Sequence, residues 1–408
     1  MSEFIQKPKL RFQEFKDEWI KQKLSSRMEV FRGASPRPKG DPKYYGGKVP
    51  RLMIEDATRD GKYVYPSIDS LTLDGAKKSR FLVKGNVVLS CSGTNVAIPT
   101  ILAVDACIHD GWLGFKNLKE VNSEFLYYLF LRLYEKMQGE ATTGGVFNNL
   151  TTSILRDLKL NFTGLNEQIK IASFLREVDV KTSRLKNKIS LLEQYKKGIM
   201  QLLFSQELRF KNEVGNNYTN WEENSIGNIF YSEKGNGIPK GELTEKGKRK
   251  CILYGELYTK YNEVIFDVES RTNSGNGLDS KKGDLLIPSS TTTTGIDLAN
   301  VTALNFENVK IGGDIIVLRS NQKINNVFYA YYLSNFKKYK IASRAQGITI
   351  VHLYFSSIKD IVIDVPSLDE QTKIANFLSV IDDKIRLVNT QLENTQQFKK
   401  GLLQQMFV

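Results

Sequence analysis

The sequence predicts an α+β protein: two similar mixed α/β domains joined by two long helices that form an antiparallel coiled coil. Three observations predict this. First, a 40-residue stretch at 165–204 recurs at 368–407 without a gap, and 16 of its positions are identical. Second, each copy carries apolar residues at alternating steps of four and three. Third, the segments before the copies open on the same words, Leu10-Arg11-Phe12 with Trp19 and Leu208-Arg209-Phe210 with Trp221. A repeat this long divides the chain into a first domain at 1–164, a helix at 165–207, a second domain at 208–366 and a helix at 367–408.

The helical reading rests on the seam. In the first copy it runs through Leu175, Val178, Leu185, Ile189 and Leu192, and in the second through Leu378, Ile381, Ile385, Val388 and Leu392. Lys196 and Lys399 interrupt the two seams at equivalent places, where a lysine can snorkel out of an apolar surface. Neither copy contains proline, and Ser367 with Glu370 reads as a capping box. Each helix should be roughly 60 Å long at 1.5 Å per residue. A seam needs a partner helix, and the other copy is the obvious one. A parallel pair would require the second domain to carry the chain back over that length, whereas a domain of ~150 residues has a radius of gyration near ~15 Å. An antiparallel pair needs no return and would place one domain at each end of a rod.

Composition narrows the function classes. The chain has 408 residues, 41% of them hydrophobic, enough for more than one core. No apolar run reaches the length of a membrane span, and the first ten residues lack a signal-peptide core, so a cytoplasmic location is expected. Cys91, Cys107 and Cys251 are scattered and odd in number, which implies no disulfide framework, and two histidines offer no zinc spacing. Net charge is +13, of which +7 falls in residues 1–164. Excess base without a like-charged tail points to a folded surface that meets a polyanion.

Within the first domain, residues 31–45 form a loop rich in Gly, Pro, Arg and Lys. Strands are expected around 49–54, 81–90 and 98–104, an aromatic helix at 125–134, a polar loop at 142–149 and a last strand at 155–162. The second domain repeats the order with little identity: Lys282-Gly283-Asp284 matches Lys84-Gly85-Asn86, and residues 347–353 match 144–150. The same scaffold with different loops implies different ligands. No catalytic constellation stands out. There is no P-loop, no G-x-G-x-x-G, no H-E-x-x-H, no G-x-S-x-G and no Asn-Pro-Pro-aromatic stretch for methyl transfer. The chain reads as a binder rather than an enzyme.

The repeat, its words and the domain order together resemble the specificity subunit of type I restriction–modification enzymes. The resemblance covers the whole chain. It is carried by Leu165-Asn166-Glu167-Gln168 with Lys196-Lys197-Gly198, and by Leu368-Asp369-Glu370-Gln371 with Lys399-Lys400-Gly401. The stretches Asp41-Pro42-Lys43-Tyr44-Tyr45-Gly46-Gly47 and Ile252-Leu253-Tyr254-Gly255-Glu256-Leu257-Tyr258 look like parts of target-recognition domains. The resemblance implies two such domains, each reading half of a split, asymmetric double-stranded DNA target. It implies two helices that space them and dock two methyltransferase subunits for adenine-N6 methylation, with restriction and motor subunits completing the complex. No cofactor or metal is expected in this chain; S-adenosylmethionine, ATP and Mg are expected on the partners.

DNA contacts are then expected on the loops. In the first domain these are Arg32, Arg37, Lys39, Lys43 and Lys48 for phosphate or guanine, Tyr44 and Tyr45 for sugar or an extruded base, and Thr94, Asn95, Asn148 and Asn149 for base edges. In the second they are Lys234, Asn236, Lys240, Thr291, Thr292, Thr293, Gln346, Thr349 and His352. Three other readings remain open: the specificity chain of a fused methyltransferase–nuclease system, a coiled-coil scaffold that binds no DNA, and a nuclease with loosely spaced carboxylates.

Overall fold

The computed structural model describes residues 7–92, 96–141 and 150–408. The chain forms two compact units, residues 1–186 with 390–408, and residues 187–389. Each unit holds one domain and one half of each long helix, and both are built to the same plan.

In the first unit a five-stranded sheet runs in the order Glu29–Arg32, Trp112–Lys116, Val87–Ser90, Pro99–Leu102, Tyr63–Val64. Successive side chains of a strand point to opposite faces, and the central strand uses both. Val87 and Leu89 join Phe115, Phe125, Tyr128 and Phe130 in the core beneath the helix Ser123–Ala141. Val88 points the other way, to a second core with Leu52, Leu82, Ile108 and Trp112. That second core lies against a four-stranded sheet ordered Asp69–Leu71, Tyr45–Leu52, Ala106–Ile108, Arg80–Leu82.

The second unit repeats this. Its first sheet is ordered Tyr231–Lys234, Ile315–Arg319, Asp284–Pro288, Thr302–Leu304, and its second Arg271–Thr272, Arg249–Ile252, Lys310–Ile311, Leu278–Asp279. Leu285 and Ile287 meet the aromatic helix Asn326–Tyr331, while Leu286 and Val317 meet Ile252 and Ile311.

The long helices span Leu165–Phe204 and Leu368–Met406. Leu175, Leu378, Ile381, Val178 and Val388 are buried, and Leu185, Ile189, Leu192, Ile385 and Leu392 are half-buried, between exposed neighbours. The seam is therefore continuous through both helices. Within each unit the two halves run antiparallel. In the first, Phe407 packs on Trp19 and Phe125, and the amide of Leu10 donates to Gln405 O at 2.9 Å, beside the start of the first helix. Further along that helix Asp179 meets the earlier residue Lys399 at 2.6 Å. In the second unit Phe204 packs on Phe328 and Tyr332, and Lys196 meets Asp382 at 2.7 Å.

The two seam lysines do not snorkel to solvent. Lys196 is buried, with Glu263 at 2.9 Å and Asp382 at 2.7 Å, over the ring of Tyr331 at 4.9 Å. Tyr331 donates its hydroxyl to Asp382, and Asn335 donates to Glu263 at 2.9 Å. The counterpart is Lys399 on Asp179, which also accepts from Tyr128 at 2.6 Å; Lys62 adds a second cation, 2.8 Å from the Tyr128 oxygen. Each lysine thus locks one helix to a carboxylate on the other at one depth.

The shared opening words have a physical role too. Arg11 forks onto Glu167 with both bonds at 2.7 Å, and Arg209 onto Glu370 at 3.1 and 2.7 Å. Phe12 packs edge-on against Phe174 at 5.7 Å, and Phe210 against Phe377 at 5.4 Å. The adjacent glutamines accept from the backbone of Asn122 and Asn325, each at 3.0 Å, just ahead of the aromatic helices. Glu370 consequently does not close the expected capping box. The Ser367 hydroxyl receives the Glu370 amide at 3.4 Å, while the carboxylate takes Arg209 and the indole of Trp221 at 3.0 Å.

One strand expectation is corrected. Residues 152–157 form a short helix, Thr152–Asp157, because the hydroxyl of Thr151 caps it by accepting from Ile154 N at 3.3 Å; the strand begins only at Lys159.

Candidate nucleic-acid interface

In each unit several loops meet along one edge. In the first, the strand Glu29–Arg32 leads into residues 33–44. Gly33 N donates to Trp112 O at 2.9 Å and Ala34 N to Ile108 O at 3.1 Å, which presses this loop onto the 108–112 turn. The approach demands glycine: a Cβ on Gly33 would lie 2.1 Å from His109 O, and one on Gly235 in the second unit 1.9 Å from Gly312 O. Arg32 donates to Asp110 O at 2.6 Å, Ser35 to Asp110 Oδ1 at 2.5 Å and Arg51 to Ser35 at 2.7 Å. The hydrogen bond from the Ser35 hydroxyl holds the Asp110 carboxyl below the usual range, aided by the nearby charge of Arg32, while burial pulls His109 below the ordinary histidine value. Arg51 also pairs with Asp69 and is almost fully buried.

Arg37, Lys39, Lys43 and Lys48 are exposed along this loop and the strand that follows. The tyrosines are placed otherwise. Tyr44 is buried, accepting from Lys78 at 2.7 Å with that ammonium 4.3 Å over its ring, so its ring face is already taken. Tyr45 is half-buried, donates to Pro36 O at 2.8 Å and lies under Arg51. Both tyrosines shape the loop, because their hydroxyls are satisfied within it. Thr94, Asn95, Asn148 and Asn149 lie outside the described residues.

In the second unit Lys234, Asn236 and Lys240 are exposed on the equivalent loop. Residues 237–240, 253–256 and 313–314 line a groove of about 700 Å³ beside it. The backbone of Ser289 donates to Asp314 O at 2.8 Å and accepts from Leu353 N at 3.0 Å, which joins this groove to the remaining predicted loops. There the pair Ser290–Thr291 with Val351–His352 brings Thr291, Thr292, Thr293, Gln346, Thr349 and His352 together. Thr291 is buried and bonds the Thr293 hydroxyl at 2.7 Å, so it supports the loop, while Thr292, Thr293, Gln346 and Thr349 face solvent.

The edges of the two units carry different side chains on matching backbone. Arg51, Ser35 and Asp110 in the first were not singled out from the sequence. Their signal was weak, since they are scattered single polar residues that only the sheet pairing assembles. Among the described residues no group of His, Cys, Asp and Glu is arranged to hold a metal ion, and no helix is long and apolar enough to cross a membrane.

A family model described as the type I restriction modification DNA specificity domain matches residues 16–194 and again 218–396. The MjaVIII type I restriction enzyme specificity subunit of Methanocaldococcus jannaschii is 23% identical over 385 residues, 88% of each chain. The MjaIX specificity subunit of the same organism is 23% identical over 416 residues, 95% of this chain and 92% of its own. Among solved structures, a type I restriction–modification S subunit from M. genitalium has a TM-score of 0.58 at 19% identity, covering 99% of both chains. A chain from a study of type I complex assembly and conformational transition has a TM-score of 0.56 at 15% identity, covering 95% of this chain and 97% of its own. At these identities the structural likeness speaks to the fold.

Proposed function

The chain belongs to the family of type I restriction–modification specificity subunits, and from that premise we propose that its two loop edges read the two unlike halves of one split DNA target. The observation that carries this reading is one scaffold built twice with different edges: Arg32, Arg37, Lys39, Lys43 and Lys48 beside a polar Arg51–Asp110 cluster in one unit, and Lys234, Asn236, Lys240 beside threonine and glutamine loops in the other. Exposed cations suit phosphate oxygens, and hydroxyls and amides suit base edges. Unlike edges imply an asymmetric target.

The chain itself supplies binding and no catalysis. Two methyltransferase subunits dock on the long helices and methylate adenine with S-adenosylmethionine; restriction subunits carry ATP- and Mg-dependent cleavage. The test is binding of duplex DNA by the chain assembled with its methyltransferase. The logarithm of the affinity should fall linearly with the logarithm of salt, by about 0.9 per phosphate neutralised. Arg32→Ala with Lys39→Ala should weaken binding to all sequences together and flatten that slope. Salt-independent binding, or none, would exclude the reading.

A further inference from the structure

The second unit carries a loop whose exposed apolar tip no packing explains. Ile348 is fully exposed, and Ile350 is 49% exposed. The loop is nonetheless closed at its base. Gln346 N donates to His352 O at 2.9 Å, and His352 N donates back to Gln346 O at 2.7 Å. The pairing of Ser290–Thr291 with Val351–His352 ties it to the threonine loop, and Leu353 anchors it in the core. Gly347 holds φ +127, where a Cβ would lie 2.0 Å from Ile350 O, so the turn is committed to this shape. The tip is therefore preorganised, with Gln346 and Thr349 exposed on either side of Ile348.

The surroundings select the occupant. Residues 338–359 hold the exposed cations Lys340, Arg344 and Lys359 and no aspartate or glutamate, while Arg319 and Lys337, earlier in the chain, are buried in ion pairs. Lys340 and Arg344 are exposed directly before the loop. Asp297, a carboxylate on the neighbouring loop, is engaged by the Thr293 hydroxyl at 2.5 Å and the Thr294 hydroxyl at 3.1 Å. An apolar tip between amide and hydroxyl groups on a cationic surface fits a nucleic-acid groove better than an apolar protein face. In the major groove, thymine presents a 5-methyl group and adenine a donor–acceptor pair that a glutamine amide matches.

We propose that residues 346–352 are a major-groove reading finger of the second domain, in which Ile348 contacts a thymine 5-methyl group while Gln346 bonds an adjacent adenine. This rests on the DNA-binding reading above and names the side chain that reads one base pair.

The test uses the full chain assembled with its methyltransferase and a duplex library randomised across the methylated motif. Ile348→Ala should lose about tenfold of its discrimination at a single A·T pair in one half-site and keep the other half-site unchanged. Duplex with uracil in place of that thymine should weaken the wild type by a similar factor and leave Ile348→Ala unaffected. Gln346→Ala should relax preference at the neighbouring adenine. Because Ile348 is fully exposed, thermal unfolding of the variant should match the wild type. Unchanged base preference in Ile348→Ala would overturn the proposal. So would an equal loss on all sequences, which would mark an apolar wedge between base steps, or a uracil effect that persists in the variant. Failure of the DNA reading itself shows separately, as wild-type binding without a salt slope.

Discussion

Lys196 concentrates the electrostatics of the second unit in one side chain. Burial alone would pull a lysine below its ordinary value, yet Glu263 and Asp382 together hold it above. Glu263 is held below the usual glutamate range by Lys196 and Asn335 despite its burial. A carboxylate with a depressed folded value contributes stability that is complete above its unfolded value, about 4.3, and is lost as pH falls through the folded one. Burial raises Asp382 instead, so its contribution runs the other way and is complete in acid. Acid loss at this site is therefore carried by Glu263. Lys196→Ala takes the cation from two half-buried carboxylates, which keep only the hydrogen bonds from Asn335 and Tyr331, and should cost about 1.5–3 kcal/mol near neutrality. Denaturant titrations from pH 7 to 3 should show the wild-type advantage shrinking below pH ~4; a pH-independent difference would mean the ion pair contributes nothing. Arg209 makes a comparable case. Glu370 is only 1% exposed, so Arg209→Ala strands a buried charge and should cost about 3–5 kcal/mol, whereas Trp221→Phe removes one hydrogen bond from the same carboxylate and should cost about 1–3 kcal/mol. Chemical denaturation of the two variants ranks them; equal effects would count against the fork as the main restraint.

At the scale of elements, the long helices combine an unspecific apolar seam with specific polar locks. Apolar side chains slide past one another at small cost, but Asp179–Lys399 and Lys196–Asp382 are satisfied at one register only. Val388 is 3% exposed and Leu185 half-buried. Val388→Asp should therefore destabilise more than Leu185→Asp, the former by several kcal/mol, on the order of an unpaired buried charge. Thermal unfolding compares them, and methylome sequencing of cells carrying each variant with its methyltransferase should show both half-sites lost together. A variant that still methylates the same split motif would show that the helices do not set the spacing.

For the whole molecule, the internal repeat gives the first long helix both halves of the lock, Asp179 and Lys196, at the positions that Asp382 and Lys399 hold in the second. A fragment ending near Phe210 lacks the second helix but is complementary to itself when turned end for end. Asp179 of one copy can then meet Lys196 of another, twice, around a two-fold axis. Sedimentation should find a dimer, and with the methyltransferase its target should become an inverted repeat of the first half-site, since recognition mirrors protein symmetry. Asp179→Lys should weaken that dimer. A folded monomer, or an asymmetric motif, would refute the pairing.

The helices, their seam and the duplication were determined by the sequence itself, because a heptad pattern and an ungapped repeat are local and need no knowledge of distant partners. The matching words were visible for the same reason, but their roles were not. Lys196 and Lys399 read as interruptions until the opposite helix and the aromatic helices placed carboxylates and tyrosines around them. Glu370 read as a cap until Arg209, 161 positions away, claimed its carboxylate. Short buried strands such as Ala106–Ile108 carry no alternation to detect, and the edge loops have no periodicity at all. Burial of Tyr44, exposure of Ile348 and the assembly of Arg32, Ser35, Arg51 and Asp110 were decided only by sheet pairing and loop closure, because these contacts join residues far apart in the chain and no local preference encodes them.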